Sequence, residues 1–293
     1  MKLNLNYYSG EDKYSDGDVE DELLEIVRGN EPIHKILAEN ENWPLLYHLS
    51  PLRRNLLEWY PFDKSGSLLE IGAGCGALTG LFCEKVNKVT AVELSKRRAE
   101  ILATRNKDCS NLEVIVGNIG DINFSEKFDY ITLIGVLEYA GKFTGGPTPY
   151  NHFIDMIKEL LKPDGVLIIA IENKYGLKYW AGAREDHTGN IFDGINNYMG
   201  NNDVRTFGKK ELELMLAQSG FTNNEFYYPV PDYKLPVQTF SDHYLPKPGD
   251  IKLTPNYDRE RYLLFNEKVV FDNVIQNDMF QFFANSFLIF SSK

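Results

Sequence analysis

The stretch Ser67 to Gly80, SLLEIGAGCGALTG, limits what this chain can fold into more than any other. Leu68, Leu69 and Ile71 form a short apolar run suited to a strand buried on both faces. Three glycines follow at alternate positions, Gly72, Gly74 and Gly76, and Ala77, Leu78 and Leu81 then have the spacing of a helix start. A glycine-rich turn between a strand and a helix lets a ligand approach bare backbone, with amides at the helix start placed to bond it.

Two ligand classes compete for such a turn. Gly72, Gly74 and Ala77 also match the G-x-G-x-x-[GA] pattern of dinucleotide folds. Glu70, two residues before the first glycine, separates the two. A carboxylate at the strand tip would repel a pyrophosphate and would suit a ligand with a cationic amino-acid end and a sulfonium. This acid-x-Gly-x-Gly-x-Gly pattern resembles motif I of class I methyltransferases that use S-adenosylmethionine (SAM).

The next segments extend the resemblance. Lys88 to Leu94 (KVTAVEL) is expected to be the second strand, with Glu93 and Leu94 at its tip and Glu93 lying 23 residues after Glu70. An acid so placed can accept hydrogen bonds from ribose hydroxyls, as in dinucleotide folds. Leu112 to Val116 reads as the third strand, followed by Asn118 and Ile119. In the resembling family a polar side chain there meets the adenine amino group and an apolar neighbour covers the ring. Asn118 and Ile119 fit those roles, although Asp is commoner at the first position. Phe128 to Ile134 is the fourth strand, and the resemblance implies that the backbone of Ile134 and Gly135 faces the methionine part of SAM. Strands alternating with helices across short turns give an α/β fold, with ligands outside the carboxyl ends of the strands. The resemblance implies a Rossmann-like class I methyltransferase fold, a seven-stranded, mostly parallel sheet whose last strand, Ser286 to Phe290, is antiparallel.

Around this core the chain divides into residues 1–66, an N-terminal arm and helices covering the cofactor site, and 67–293, the SAM-binding domain with insertions at about 172–206 and 231–283. Tyr7 to Asp18 reads as a polar arm or loop, and Val19 to Val27 as a short helix capped by Asp16 or Asp18. Ser50-Pro51 is a good N-cap and first-turn pair for a helix through Leu52, Leu56, Leu57 and Trp59 that ends near Pro61. That helix would bring Tyr47 or Arg53 toward the SAM carboxylate, the other reading being that both simply pack. Tyr150 to Leu161 reads as an amphipathic helix, Val166 to Ile171 as the fifth strand, and Glu225 to Tyr228 as the start of a sixth. The 172–206 insertion is polar enough for a lid, and long insertions at this edge of the sheet are often functional. It holds Tyr175, Tyr179 and Trp180, which could stack on a sugar ring, and Glu185-Asp186-His187, where acid and imidazole adjoin. Imidazole is suited to taking a proton near neutral pH. His187 is therefore the candidate base, with Asp186 or Glu185 orienting it. No metal site is expected.

Charge narrows the partners. The chain carries a net −11, of which residues 1–42 hold eleven acids and four bases. A phosphate backbone is a poor partner for so acidic a protein, so no nucleic-acid acceptor is expected. Cys75, Cys83 and Cys109 make no metal spacing, which suits reduced thiols in a cytoplasm. No apolar run has the length of a membrane span.

The whole chain is also similar to a narrower bacterial group sharing YYSGEDxYSDGD, YHLSPxRxNLLEWYPF, LEIGAGCGALTG, LIGVLEYA, AIENKYGLKYWAG, EDHTG and YYPxPDYKLP. Such proteins tend to accompany glycosyltransferases that build surface polysaccharides, which implies a sugar hydroxyl as methyl acceptor. The alternatives are methylation of a nitrogen or of another small molecule, a SAM-binding module that regulates a glycan assembly without chemistry, and, more remotely, a nicotinamide oxidoreductase. Gly208 departs from pattern, since a serine-like cap would be usual ahead of the helix at Lys209.

Overall fold

A computed structural model of the chain describes residues 1–12, 17–29, 31–200, 203–252 and 261–293. The chain divides into two compact units, one of Met1–Leu133 with Leu160–Gly165, the other of Ile134–Glu159 with Val166–Lys293.

The first unit opens with strand β1 (Lys2–Tyr7) and helices α1 (Val19–Arg28), α2 (Ile33–Glu39) and α3 (Trp43–Leu49). It continues with β2 (Ser67–Ile71), α4 (Thr79–Lys85), β3 (Lys88–Glu93), α5 (Lys96–Arg105), β4 (Leu112–Gly117) and β5 (Phe128–Ile134). The order is β1-β4-β3-β2-β5, all parallel. From β2 the chain runs outward through β3 and β4 and then returns to β5 on the other side. Strand order therefore reverses at β2, where open α/β sheets bind ligands.

Strand β1 was not expected and ends where the Tyr7 to Asp18 stretch, read as an arm or loop, begins. Leu3 and Leu5 alternate with polar residues through KLNLNY, and that period-two pattern lays the segment along β4. Its end fits closely: a Cβ on Gly117 would lie 2.7 Å from Cβ of Tyr7, so only glycine admits the strand there. Asp18 precedes α1 without a side-chain cap, and Asp16 lies outside the described residues. Ser50 caps as expected, its hydroxyl accepting the Leu52 N–H at 3.2 Å, but the turn it opens is a 3-10 helix, Pro51–Leu56.

The second unit holds α6 (Ala140–Phe143), α7 (Pro149–Glu159), most of β6 (Leu161–Glu172), α8 (Leu177–Trp180) and α9 (Lys209–Gln218). After them come β7 (Asn223–Val230), β8 (Gln238–Ser241), α10 (Glu267–Gln276), α11 (Phe280–Phe283) and β9 (Ser286–Ser292). Strand β9 lies antiparallel between β6 and β7, and β8 adds an antiparallel edge to β7. The antiparallel last strand agrees with expectation. With β1 and β8 the described strands number nine rather than seven.

Two expectations for the 172–206 segment need correction. Tyr179 is not an exposed plate: it is buried and its hydroxyl donates to Asp186. Tyr175 stacks on Phe282 with ring centroids 5.0 Å apart, which leaves Trp180 as the exposed ring of the three. The Tyr175 ring also accounts for Gly208, where a Cβ would come within 2.9 Å of it. Glu211 accepts the Gly208 N–H at 2.8 Å and caps α9 in place of a serine.

Candidate functional site

The expected cofactor residues of the first unit sit at the carboxyl ends of β2, β3 and β4. Gly72, Gly74 and Gly76 all have positive φ, at 68°, 55° and 75°. Their surroundings differ. A Cβ on Gly76 would lie 2.9 Å from Cγ of Leu102 and 3.1 Å from its Cα, so this glycine lets the turn lie against α5. A Cβ on Gly74 would meet nothing within 4 Å, which leaves that backbone open to a ligand. Helix α4 begins at Thr79, beyond a turn over residues 74–78, and not at Ala77. The open backbone is thus the turn and not the start of the helix.

Glu93 is buried, one carboxylate oxygen accepting the Gly74 N–H at 2.7 Å and the other the Ser95 N–H at 2.9 Å. A carboxylate has about four acceptor positions, so each oxygen keeps one for a hydroxyl. Burial raises its pKa, and the N–H groups oppose the rise. Leu94 is half-buried beside it. Glu70 is turned inward, accepting the Thr79 hydroxyl at 2.6 Å. Burial pushes it up to about 8, and the Arg53 and Arg105 charges pull the other way. Asn118 accepts the Gly120 N–H at 3.1 Å, and Ile119 opens the 3-10 turn that follows. The Arg53 guanidinium lies 4.4 Å from the centre of the Tyr47 ring, so these two stack on each other. The open Gly74 backbone and the spare acceptors of Glu93 fit a ligand carrying a ribose.

Sequence reasoning missed Arg105 in α5. Its guanidinium donates 2.8 Å bonds to the carbonyls of both Cys75 and His48, tying the glycine turn to the end of α3.

The second unit opens with Ile134 and Gly135. Gly135 has φ 68° and donates its N–H to Ala170 O at 2.9 Å. A Cβ there would come 2.8 Å from the Tyr233 hydroxyl and 3.5 Å from Oε1 of Glu138.

Around that point lies a buried polar cluster. Glu138 comes from the turn after β5, Glu172 from the end of β6, and His187 from the loop after α8. Nε2 of His187 is 3.5 Å from Oε2 of Glu172 and 3.9 Å from Oε1 of Glu138. On the other side of the ring, Nδ1 lies 3.1 Å from the Tyr139 hydroxyl. Burial pushes Glu138 up to about 8, against the pull of His187. Burial works against the charge on Glu172 too, yet Lys234 and His187 hold it well below the carboxylate range. Burial would lower His187, but Glu172 and then Glu138 hold it up at about 9. The imidazole therefore carries a proton at neutral pH in the ligand-free chain, and is not the neutral base that sequence reasoning expected.

The expected partners of His187 have other tasks. Glu185 accepts the backbone N–H groups of His187 and Thr188, both at 2.7 Å, and the Tyr198 hydroxyl at 3.0 Å. It shapes the loop and does not orient the imidazole. Asp186 pairs with Lys178 at 2.9 Å and with Lys234, and these ammoniums, overriding burial, hold it well below the carboxylate range. Lys234 also reaches Oε1 of Glu172 at 2.7 Å. The carboxylates that face the imidazole are Glu138 and Glu172, which lie in the LIGVLEYA and AIENKYGLKYWAG stretches but were not singled out as site residues.

Comparison with known proteins agrees with this organisation. A family model described as a methyltransferase domain matches residues 45–225. The ribosomal RNA small subunit methyltransferase A of Mycoplasma mycoides subsp. mycoides is 25% identical over 225 residues, 73% of this chain and 75% of that protein. A malonyl-[acyl-carrier protein] O-methyltransferase of Priestia megaterium is 31% identical over 114 residues, 37% of this chain and 38% of that one. Among solved structures, phosphoethanolamine N-methyltransferase 1 of Haemonchus contortus, in complex with phosphoethanolamine and S-adenosylhomocysteine, superposes with a TM-score of 0.50 at 11% identity. That match covers 94% of this chain and 48% of the other.

Proposed function

This chain belongs to the methyltransferase-domain family and is a SAM-dependent methyltransferase, and from that premise we propose that its acceptor is a hydroxyl, on a sugar or another small molecule used in a bacterial surface polysaccharide. SAM, when bound, supplies an electrophilic methyl group. The chain's share of the work is to hold the two reactants in line, exclude water and take up the acceptor's proton. In this reading Glu93 holds the ribose, Asn118 and Ile119 the adenine, the Gly72–Gly76 turn and Glu70 the amino-acid end, and Tyr47 and Arg53 its carboxylate. Ile134 and Gly135 line the methionine part.

The observation that carries the hydroxyl reading is the Glu138–Glu172–His187 cluster next to Gly135. A hydroxyl must lose a proton as it attacks, and Oε2 of Glu138 is a buried carboxylate oxygen without a hydrogen-bond partner, whose raised pKa makes it, once ionised, the stronger base of the two glutamates. The charged His187, with Nε2 3.9 Å from the other oxygen of Glu138, favours the ionised carboxylate. The sugar part of the reading rests on the motif resemblance and on the exposed Trp180 ring. Ribosomal RNA is the competing acceptor because of the relatives above, and the net charge of −11 counts against it.

The test is release of S-adenosylhomocysteine from SAM with sugar nucleotides, oligosaccharides, amines and ribosomal RNA offered in turn. Turnover on a sugar hydroxyl is expected. Turnover confined to RNA or to amines would sink the reading. Calorimetry of SAM binding runs alongside. Glu93→Ala removes two charge-assisted bonds to the ligand and the brace on Gly74, so affinity is expected to fall roughly a hundredfold.

A further inference from the structure

We propose that Glu138, Glu172 and His187 form a binding site for one divalent cation that accepts mixed oxygen and nitrogen ligands, Mn2+ or Zn2+ in kind. Glu138 Oε2, Glu172 Oε2 and His187 Nε2 are all buried and all lack a hydrogen-bond partner. The two carboxylates are 1% and 0% exposed, and the His187 side chain is 8% exposed. Buried polar atoms are seldom left in this state, because losing water without a replacement is costly. Here three converge.

Their spacing suits one ion. A ligand atom from each of the three lies within 4.8 Å of the other two. Atoms bound to a common ion at about 2.1 Å lie roughly 3 to 4.2 Å apart, so small side-chain rotations close the site. Charge suits it as well. In the ion-paired group, Glu138, Glu172, Asp186 and Asp232 stand against Lys178 and Lys234, an excess of two negative charges once Glu138 and His187 give up their protons to make way for the ion.

Neighbours already orient the ligands. Lys234 and the Tyr233 hydroxyl both donate to Oε1 of Glu172, at 2.7 and 3.3 Å, which leaves Oε2 for the ion. The Tyr139 hydroxyl can accept from Nδ1 of His187, the arrangement that directs Nε2 to a metal. One imidazole with two carboxylates favours Mn2+ or Zn2+ over Ca2+, which takes six to eight oxygens. Three protein ligands leave positions open for an acceptor oxygen.

What the cation does rests on the hydroxyl reading above, whereas the site itself does not. Bound to the ion, the acceptor hydroxyl becomes more acidic and gives its proton to water. The oxygen then forms a bond to the methyl carbon as the carbon–sulfur bond breaks, and the sulfonium leaves as a neutral thioether. The ion thus takes over the activation that the bare carboxylate would otherwise provide.

The test is titration of the full chain, stripped with EDTA and desalted, with Mn2+, following the free-ion signal by electron paramagnetic resonance. One Mn2+ per chain at micromolar Kd is expected, weakened at least thirtyfold in Glu138→Gln and in His187→Ala and unchanged in Glu84→Gln, a surface carboxylate. Retained SAM binding shows that each variant is folded. Co2+ offered to the wild type provides a readout that needs no variant, through visible absorption bands of a nitrogen- and oxygen-bound ion. Absence of saturable binding, or equal affinity in the cluster variants, overturns the site. Hydroxyl methylation that continues in EDTA with no ion bound overturns the cation's role and leaves the hydroxyl reading intact. One-to-one binding lost in the variants, with methylation only of amines or RNA, upholds the site and overturns the hydroxyl reading.

Discussion

The two polar sites of this chain treat their carboxylates in opposite ways. At Glu93 both oxygens already accept backbone N–H groups, from Gly74 and Ser95. At Glu138 and Glu172 one buried oxygen of each accepts nothing. The first arrangement is complete before any ligand arrives, and a ribose would add to it. The second is incomplete, and only something that enters can finish it. A site assembled from neighbouring turns can satisfy itself with its own backbone. A site assembled from four distant segments relies on its side chains, and like charges among them must be held together against their repulsion.

Holding them together is the task of Lys234, and removing it tests the contrast most severely. Lys234→Met leaves Glu172 and Asp186 buried without their shared ammonium. A buried ion pair broken on one side costs about 3–5 kcal/mol. Urea unfolding is expected to show a loss of that size. A loss below about 1 kcal/mol would mean that water reaches the cluster, and the contrast between the two sites would collapse.

That difference also decides what could be read from the sequence. Glu70, the three glycines and Glu93 were legible because each is fixed by its place at a strand end, and strand ends are marked locally by apolar runs and turns. Ser286 onward was legible as a last strand for the same reason. His187 stood out in the sequence, but its surroundings did not. Its sequence neighbours Glu185 and Asp186 looked like partners, whereas the loop sends one to backbone amides and the other to two lysines. Glu138 and Glu172 lie 49 and 15 residues before it and come from other elements. Only the fold brings them together. Strand β1 is a different kind of miss: its alternating Leu3 and Leu5 are a short period-two signal that the reading of the N-terminus did not use.

Within the first site, the glycines offer a finer contrast. Gly76→Ala places a methyl 2.9 Å from Cγ of Leu102 at φ 75°, so strain and overlap add. A cost of about 2–3 kcal/mol is expected in thermal unfolding, with little further effect on SAM affinity once the protein is folded. Gly74→Ala meets no neighbour, so only the strain of φ 55° remains, about 1 kcal/mol. Its methyl would occupy the open approach to the turn, and SAM affinity is expected to fall about tenfold. Equal effects of the two substitutions on SAM binding would show that the turn does not face the cofactor through Gly74.

Glu70 gives the most specific test, because it belongs to the self-satisfied site yet lacks a full counter-charge. Its folded value of about 8 against an ordinary 4.5 means that the folded chain keeps a proton that the unfolded chain gives up. The stability it contributes is whole below pH 4.5 and is lost as pH rises toward 8, by at most about 1.4 kcal/mol per unit. Wild type is therefore expected to lose stability relative to Glu70→Gln across that window. If the cationic end of SAM meets this carboxyl, binding must drive the proton off. Calorimetry at pH 7 in buffers of different ionisation enthalpy would then show the wild type releasing close to one proton more than Glu70→Gln. Equal release by the two would place the SAM cation away from Glu70 and leave this carboxyl a structural partner of Thr79 alone. The pH-dependent stability would survive that outcome, because it depends on burial and not on the ligand.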